Sequence, residues 1–246
     1  MTEKPSKNLI KLIKKLHQKK YRYQYGLFIV ERLKTILPYL QTGWQAEYIF
    51  LTPGARLPVP VDCPIYYVDK ETLKKISALK NPYDALAVFR MKKLPPFQAR
   101  GFIPVLDNIQ DPGNLGTIIR AADWFGIRQI VCSGNSVDVY NPKVSQAAMG
   151  AHAAVNVYYE NLEKFLPSLS VPVFLTGMVG KNVFQTPLPR DAAVVFGNEG
   201  HGIRPSLFSI AEKVLSIPHH SGKLSESLNL SVSAGVIMAE WFRKNG

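Results

Sequence analysis

Three short stretches of the chain hold residue types that do chemistry. The first runs Asp107-Asn-Ile-Gln-Asp-Pro-Gly-Asn-Leu-Gly116 and continues as Thr117-Ile-Ile-Arg-Ala-Ala122. Asp-Pro-Gly-Asn is a turn signal, and Asn114 is a good candidate for the N-cap of the helix behind it. Arg120 would then lie inside an apolar, alanine-rich helix. A cation there either reaches solvent or serves a cleft, and its neighbours Ile118, Ile119, Ala121 and Ala122 favour the cleft. The second stretch, Gly197-Asn-Glu-Gly-His-Gly202, has three glycines that let backbone N–H groups approach a ligand. Its G-x-x-G-x-G spacing differs from the dinucleotide fingerprint G-x-G-x-x-G, and an acid at Glu199 suits a pyrophosphate poorly. A tight structural turn is the plain alternative. The third stretch, Pro218 to Gly235, clusters Ser and Asn at a helix start, where such residues are ordinarily caps. His219 and His220 are adjacent and lack the one-turn separation of helix-borne metal ligands, so no metal site is expected. The absence of a G-x-S-x-G elbow argues against a Ser-His-acid hydrolase.

These stretches follow apolar runs that read as strands. The runs are Ile103–Leu106, Gln129–Cys132, Val171–Thr176, Ala192–Phe196 and Val214–Ile217, with helical patterns near 116–126, 143–151, 160–168, 204–212 and 227–243. Continuous apolar strands alternating with helices predict a parallel sheet covered on both faces, with its ligand beyond the carboxyl ends of the strands. The loops after Leu106, Thr176, Phe196 and Ile217 are therefore the expected site. Upstream, runs at 27–30, 47–52, 64–68 and 85–90 alternate with helices near 31–42 and 70–77, which predicts a smaller α/β domain. Lys92-Lys-Leu-Pro-Pro-Phe-Gln-Ala-Arg-Gly101 reads as a linker, dividing the chain into domains 1–98 and 99–246.

Charge follows the same division. The chain has 246 residues and a net charge of +12. Residues 1–100 hold 19 Lys and Arg against 7 Asp and Glu, whereas residues 101–246 hold 11 of each. Such asymmetry points to a polyanionic partner for the first part, with nucleic acid ahead of a merely solvated basic surface. Leu9, Leu12, Ile13 and Leu16 recur at helical spacing, leaving Lys11, Lys14, Lys15, Lys19, Lys20 and Arg22 as the RNA-contacting set. Tyr21-Arg-Tyr-Gln-Tyr25 alternates aromatic and polar groups, as either a platform for stacked bases or a half-buried strand would; a membrane-surface helix ranks last. Hydrophobic residues at 46% and charged residues at 20% exclude a disordered chain, a collagen-like repeat and a pure coiled coil. No run reaches the ~18 apolar residues of a membrane span. Met1-Thr-Glu-Lys-Pro5 leads into no signal-peptide core. Cys63 and Cys132 have no metal-ligand spacing and indicate a reducing, cytoplasmic setting.

Taken together, Asp111-Pro-Gly-Asn-Leu-Gly-Thr117 with Arg120, Phe196-Gly-Asn-Glu-Gly-His-Gly202, and Ile217-Pro218 with Ser227-Leu-Asn-Leu-Ser231 resemble the three motifs of the SpoU/TrmH family of RNA ribose 2′-O-methyltransferases, of the SPOUT class. Asn141-Pro-Lys-Val144 and Met149-Gly-Ala151 resemble the family between its first two motifs, so the likeness runs from about Phe102 to the end. Phe28-Ile-Val-Glu31 and Ala85-Leu-Ala-Val88 resemble, more loosely, its ribosomal-protein-like substrate-binding domain. The resemblance implies an α/β fold whose C-terminal parallel sheet carries a trefoil knot, a homodimer, and S-adenosylmethionine held by Thr176, Gly177, Gly197, Asn198, Gly200, Ile217 and Leu228. It implies in-line attack of a ribose 2′-hydroxyl on the cofactor's methyl group, with no metal because the thioether leaves readily. Asn114, Arg120, Glu199, Ser227 and Asn229 would form the catalytic set. In the family the matching Arg is the proposed base, oriented by the Asn. Because a guanidinium stays protonated, Arg120 could equally hold the adjacent RNA phosphate. Glu199 would orient Arg120 or Asn229. The implied substrate is RNA, with ribosomal RNA ahead of transfer RNA. A non-catalytic RNA-binding or ribosome-assembly protein on the same fold is the alternative. Two departures stand out: Arg32 where the family commonly has Gly, and His219 where it commonly has Met.

Overall fold

The computed structural model describes residues 4–246. Met1–Glu3, part of the segment read as lacking a signal-peptide core, lie outside the described residues. In chain order the elements are α1 (Lys7–Lys15), α2 (Lys19–Tyr25), β1 (Leu27–Glu31), α3 (Leu33–Gln41), β2 (Ala46–Leu51), β3 (Ile65–Tyr67), α4 (Lys70–Ile76), β4 (Ala85–Arg90), β5 (Phe102–Leu106), α5 (Pro112–Trp124), β6 (Gln129–Ser133), α6 (Pro142–Ala148), β7 (Asn156–Glu160), α7 (Leu162–Phe165), β8 (Val173–Asn182), β9 (Ala192–Phe196), β10 (Lys213–Ser216) and α8 (Leu230–Asn245). Among the described residues no helix is long and apolar enough to cross a membrane. They form two compact units, 4–93 with 138–154, and 94–137 with 155–246.

The first unit is built on a four-stranded mixed sheet ordered β1-β4-β2-β3. Helix α1 starts at Ser6, whose Oγ accepts the Leu9 N–H at 3.2 Å, and its apolar stripe buries Leu9, Ile13 and Leu16 against Ile29, Phe50, Leu73 and Val88. The opposite face leaves Lys11, Lys14 and Lys15 exposed, as its periodicity predicts. Two expectations need correction here. The Tyr21–Tyr25 alternation is helical, not extended: Tyr21 and Tyr25, one turn apart, stack with ring centroids 6.4 Å apart. Arg22, counted among the RNA-contacting cations, points inward and is 2% exposed. Its guanidinium donates to Asp138 at 2.5 and 2.9 Å and to the carbonyls of Leu16 and His17. A guanidinium with that many fixed acceptors is an interior anchor.

Asp138 comes from the middle of the chain, and this pairing explains why 138–154, read as part of the C-terminal domain, packs with the first unit. Phe28 meets the Tyr140 ring at 4.7 Å, and the Tyr39 hydroxyl meets His152 Nδ1 at 3.0 Å inside an aromatic cluster completed by Trp44 and Phe89. Burial holds His152 neutral, its pKa lowered from 6.5 to about 3, with the Lys92 charge acting in the same direction.

The second unit is a six-stranded sheet, parallel throughout, ordered β10-β8-β9-β5-β6-β7. Fully apolar β5 and β9 lie at its centre, as their sequences require. Strand β7 was not predicted. Its Asn-Val-Tyr-Tyr-Glu run lies at the sheet edge and buries only Val157 and Tyr158, so its apolar signal is short. The helices expected near 160–168 and 204–212 shrink to the one-turn α7 and a 3₁₀ segment at Pro205–Ile210. Strand β8 is longer than expected and irregular. It pairs with β10 through Phe174 and Leu175 and again through Lys181 and Asn182, so residues 176–180 loop out of the ladder.

Candidate active site

The looped-out part of β8, the loops after β9 and β10 and the start of α8 line a cavity of about 580 Å³ at the carboxyl end of the sheet; the loop after β5, also expected there, stays off its wall. That volume suits a ligand of nucleoside size. Ile203, Leu215, Ile217, Leu228 and Ile237 supply apolar wall, while Thr176, Gly177 and Gly197 expose backbone. Two glycines in these loops have steric reasons. A Cβ at Gly197 would collide with the backbone of Gly202 across its own turn. One at Gly180 would lie 2.5 Å from the Val214 carbonyl oxygen, where the looped-out segment rejoins its ladder with β10.

Local chemistry fixes each loop. Helix α5 begins at Asp111, not at Asn114 as expected: Pro112 takes the first helical position and the Asp111 carboxylate accepts the Asn114 N–H at 2.7 Å. The Asn114 side chain is thereby released from capping. Its Nδ2 donates to Glu199 Oε1 at 2.8 Å, and its Oδ1 accepts from Asn229 Nδ2 at 3.1 Å. Asn229 is itself the N-cap of α8, where its Oδ1 accepts from the N–H of Ser231 and of Val232. One chain of hydrogen bonds thus joins all three motifs. Among the described residues Glu199 is the sole carboxylate on the cavity wall.

Other expected residues take different places. Ser227 is exposed on the wall and caps nothing. Arg120 is exposed on α5, six residues beyond Asn114, and among the described residues its guanidinium makes no hydrogen bond or ion pair; Glu199 and Asn114 bond to each other and not to it. Thr176, Gly177, Gly197, Asn198, Ile217 and Leu228 line the cavity, but Gly200 lies outside its wall, on the exposed turn. Asn198 lines it by its position only. Its Oδ1 accepts from the N–H of Gly200 and His201, and its Nδ2 donates to the Asn108 carbonyl, so the side chain braces the turn. The Thr176 hydroxyl likewise donates to the Val195 carbonyl at 3.0 Å.

Sequence reading missed two participants. Lys223 lines the cavity and donates from Nζ to the carbonyls of Ser225 and Glu226, closing the loop that carries Ser227. Arg204 ties the end of the glycine turn to β5: its Nε and Nη2 reach buried Asp107 at 2.9 and 2.5 Å, and Nη1 reaches Glu163 at 2.9 Å. The bond to Asp107, chiefly, raises the Arg204 pKa, and the bond from Arg204 lowers that of Glu163. No spacing rule pairs residues 97 apart, though each follows a buried strand or turn.

Residues 101–239 match the SpoU rRNA Methylase family, and residues 7–87 match the MRM3-like substrate binding domain. The chain is 29% identical to the 23S rRNA (guanosine(2553)-2′-O)-methyltransferase RlmP of Bacillus subtilis, with 92% of each chain covered. A TrmH-family structure from Porphyromonas gingivalis superposes with a TM-score of 0.90 at 32% identity, covering 99% of this chain and 100% of that one. An AdoMet-bound rRNA methyltransferase from Sinorhizobium meliloti superposes with a TM-score of 0.87 at 26% identity, covering 99% and 97%.

Proposed function

The chain belongs to the SpoU rRNA methylase family, and on that premise we propose that it transfers a methyl group from S-adenosylmethionine to a ribose 2′-hydroxyl of ribosomal RNA. The observation that carries this reading is the Asn229–Asn114–Glu199 chain at the mouth of a nucleoside-sized cavity. The cofactor fits what is there. Its adenine suits the wall of Ile217, Leu215 and Leu228, and its sulfonium charge suits a cavity whose one carboxylate is Glu199. When bound, it supplies an electrophilic methyl group on a good leaving group.

The protein's share is positioning. Asn114 fixes the Glu199 carboxylate, and Asn229 fixes Asn114. Arg120, exposed and without a carboxylate partner among the described residues, holds the phosphate next to the target ribose. In the transfer the 2′-oxygen–carbon bond forms as the carbon–sulfur bond breaks. The hydroxyl proton leaves late, to phosphate or water, because a guanidinium does not deprotonate in this range. Ser227 lines the approach.

The first unit delivers the RNA. Lys11, Lys14, Lys15, Lys19 and Lys20 are exposed, and three of them lie over tyrosine rings: Lys15 and Lys20 at Tyr21 (5.4 and 5.9 Å), Lys19 at Tyr23 (5.8 Å). Cations beside aromatic faces suit unpaired RNA. We place the activity in the cytoplasm, a setting supported by the free thiols of Cys63 and Cys132. We also assign a trefoil knot, on the likeness to the SpoU family, and a homodimer, supported by Trp124 (83% exposed) and Phe242 (44%) on α5 and α8. The test is to incubate the protein with methyl-labelled S-adenosylmethionine and unmodified ribosomal RNA, then digest to nucleosides. Label in a 2′-O-methylnucleoside supports the proposal; cofactor and RNA binding with no transfer would make this a binding protein.

A further inference from the structure

A second cavity, of about 700 Å³, opens at the other end of the parallel sheet. It is formed where β5, β6 and β7 begin, at Phe102, Gln129 and Asn156, so it shares no residue with the cofactor cavity. Its floor is aromatic: Trp241, 9% exposed, packs on Phe102 with ring centroids 5.4 Å apart, and Tyr158 is fixed by its hydroxyl bond to the Pro95 carbonyl at 3.0 Å. Its rim is cationic, with Arg100, Arg128 and Arg190 all exposed.

The charge is concentrated there for no evident structural reason. The second unit contains six arginines, and three of them line this cavity, although residues 101–246 carry no net charge. Arg204 and Arg243 are held by acids, and Arg128 pairs with Asp123. Arg100 and Arg190 have no carboxylate partner among the described residues. The one carboxylate that the described residues place on the wall, Asp191, accepts the Gly101 N–H at 2.6 Å. Trp241 donates its indole N–H to the Arg190 carbonyl at 3.1 Å, which fixes the backbone that carries one of the free cations.

We propose that this cavity is a second RNA site, taking one unpaired nucleotide of the substrate strand with its base against the Tyr158–Trp241 floor and its flanking phosphodiesters on Arg100 and Arg190. The inference rests on the assignment of RNA as substrate. An aromatic floor with a cationic rim is how proteins hold single strands without reading sequence, because every base has a π-face and every linkage a charge. It would give the second unit its own grip on RNA, independent of the lysines of α1 and α2.

The test uses the full chain, a fluorescent oligouridylate and a range of NaCl concentrations. In Arg100→Gln/Arg190→Gln, affinity should fall about ten-fold at low salt, and the slope of log K against log salt should shrink by about 1.4, two contacts at ~0.7 each for a single strand. The charge-preserving Arg100→Lys/Arg190→Lys should restore most of the slope. Binding of S-adenosylmethionine by calorimetry should be unchanged in both variants, which separates this effect from misfolding. An unchanged slope in the glutamine variant, with normal oligouridylate binding by the parent, overturns the site and leaves the methyltransferase assignment standing. A parent that binds neither oligouridylate nor ribosomal RNA overturns both. Uridine monophosphate bound by the parent and lost in the glutamine variant, with oligouridylate unaffected, would make the cavity a free-nucleotide site and overturn the RNA reading.

Discussion

Asn229 Nδ2 donates to Asn114 Oδ1 across 3.1 Å, so the residue that caps α8 also sets the rotamer of a residue in the first turn of α5. Asn114 then has both ends of its amide committed, one to Asn229 and one to Glu199. Its role in the proposed reaction is to hold the carboxylate, and neither of these bonds goes to Arg120. Asn114→Ala should lower kcat by about 100-fold through misplacement of Glu199. Because the network is exposed, the thermal midpoint should hardly move. Comparing single-turnover methylation with a melting curve checks both halves.

Arg120→Ala should reduce methyl transfer by about 10²–10³-fold, the usual loss when one preorganised electrostatic group is removed. Affinity for S-adenosylmethionine should be retained, since Arg120 does not line the cavity. Arg120→Lys should recover part of the rate, as a point charge can hold a phosphate but not in the bidentate manner. Full activity in the alanine variant would remove Arg120 from the mechanism.

Gly180→Ala should destabilise the second unit by about 1–3 kcal/mol, because its methyl group would press on the Val214 carbonyl of β10. Cofactor affinity should fall with it, since Thr176, Gly177 and Met178 of the same looped segment line the cavity. Gly200→Ala is the control: a Cβ there meets only the Asn198 side chain, at 3.6 Å. It should change stability and binding little. Urea melts and calorimetry on the two variants make the comparison.

Arg32 takes φ +74°, a conformation that favours glycine, and its Nε is buried without a hydrogen-bond partner among the described residues. What remains for the side chain is a Tyr83 ring 5.6 Å away. Arg32→Gly should stabilise the first unit by about 1 kcal/mol, the relief of backbone strain less the added freedom of the unfolded chain. Chemical denaturation measures it. A loss of stability would mean that the contact with Tyr83 outweighs the strain.

His152 gives the first unit a pH dependence. Its folded pKa, about 3, lies below the ordinary 6.5, so between those values the unfolded chain binds the extra proton. Stability from this group is complete above pH 6.5 and falls as pH drops towards 3, by up to about 1.4 kcal/mol per pH unit. His152→Gln should flatten that slope in urea melts taken from pH 7 to pH 5.

What could be read from the sequence was whatever depends on short-range pattern. The apolar runs of β5 and β9 announced a buried parallel sheet, and the spacing of Leu9, Ile13 and Leu16 announced α1. Asn229 was recognisable as a residue that caps, and Glu199 as an acid in a ligand-facing turn. Partnerships over long separation were not readable. Arg22 looked like any surface cation beside five exposed lysines, because its acceptor lies 116 residues away. Arg204 and Asp107 were invisible for the same reason. Asn114 was misread as a cap because Asp and Asn three apart both suit the position. Pro112 decided between them by claiming the first helical turn.

The grouping of 138–154 with residues 4–93 has a consequence for biosynthesis. A chain leaving the ribosome cannot pair Arg22 with Asp138, or enclose His152 with Tyr39, until the first strands of the second unit have already emerged. The first unit, though it opens the sequence, cannot finish folding until residue 154 has emerged. Its buried guanidinium must wait in solvent while β5, α5 and β6 are translated, and a nascent chain stalled near residue 98 carries a charged, open interior that chaperones would meet.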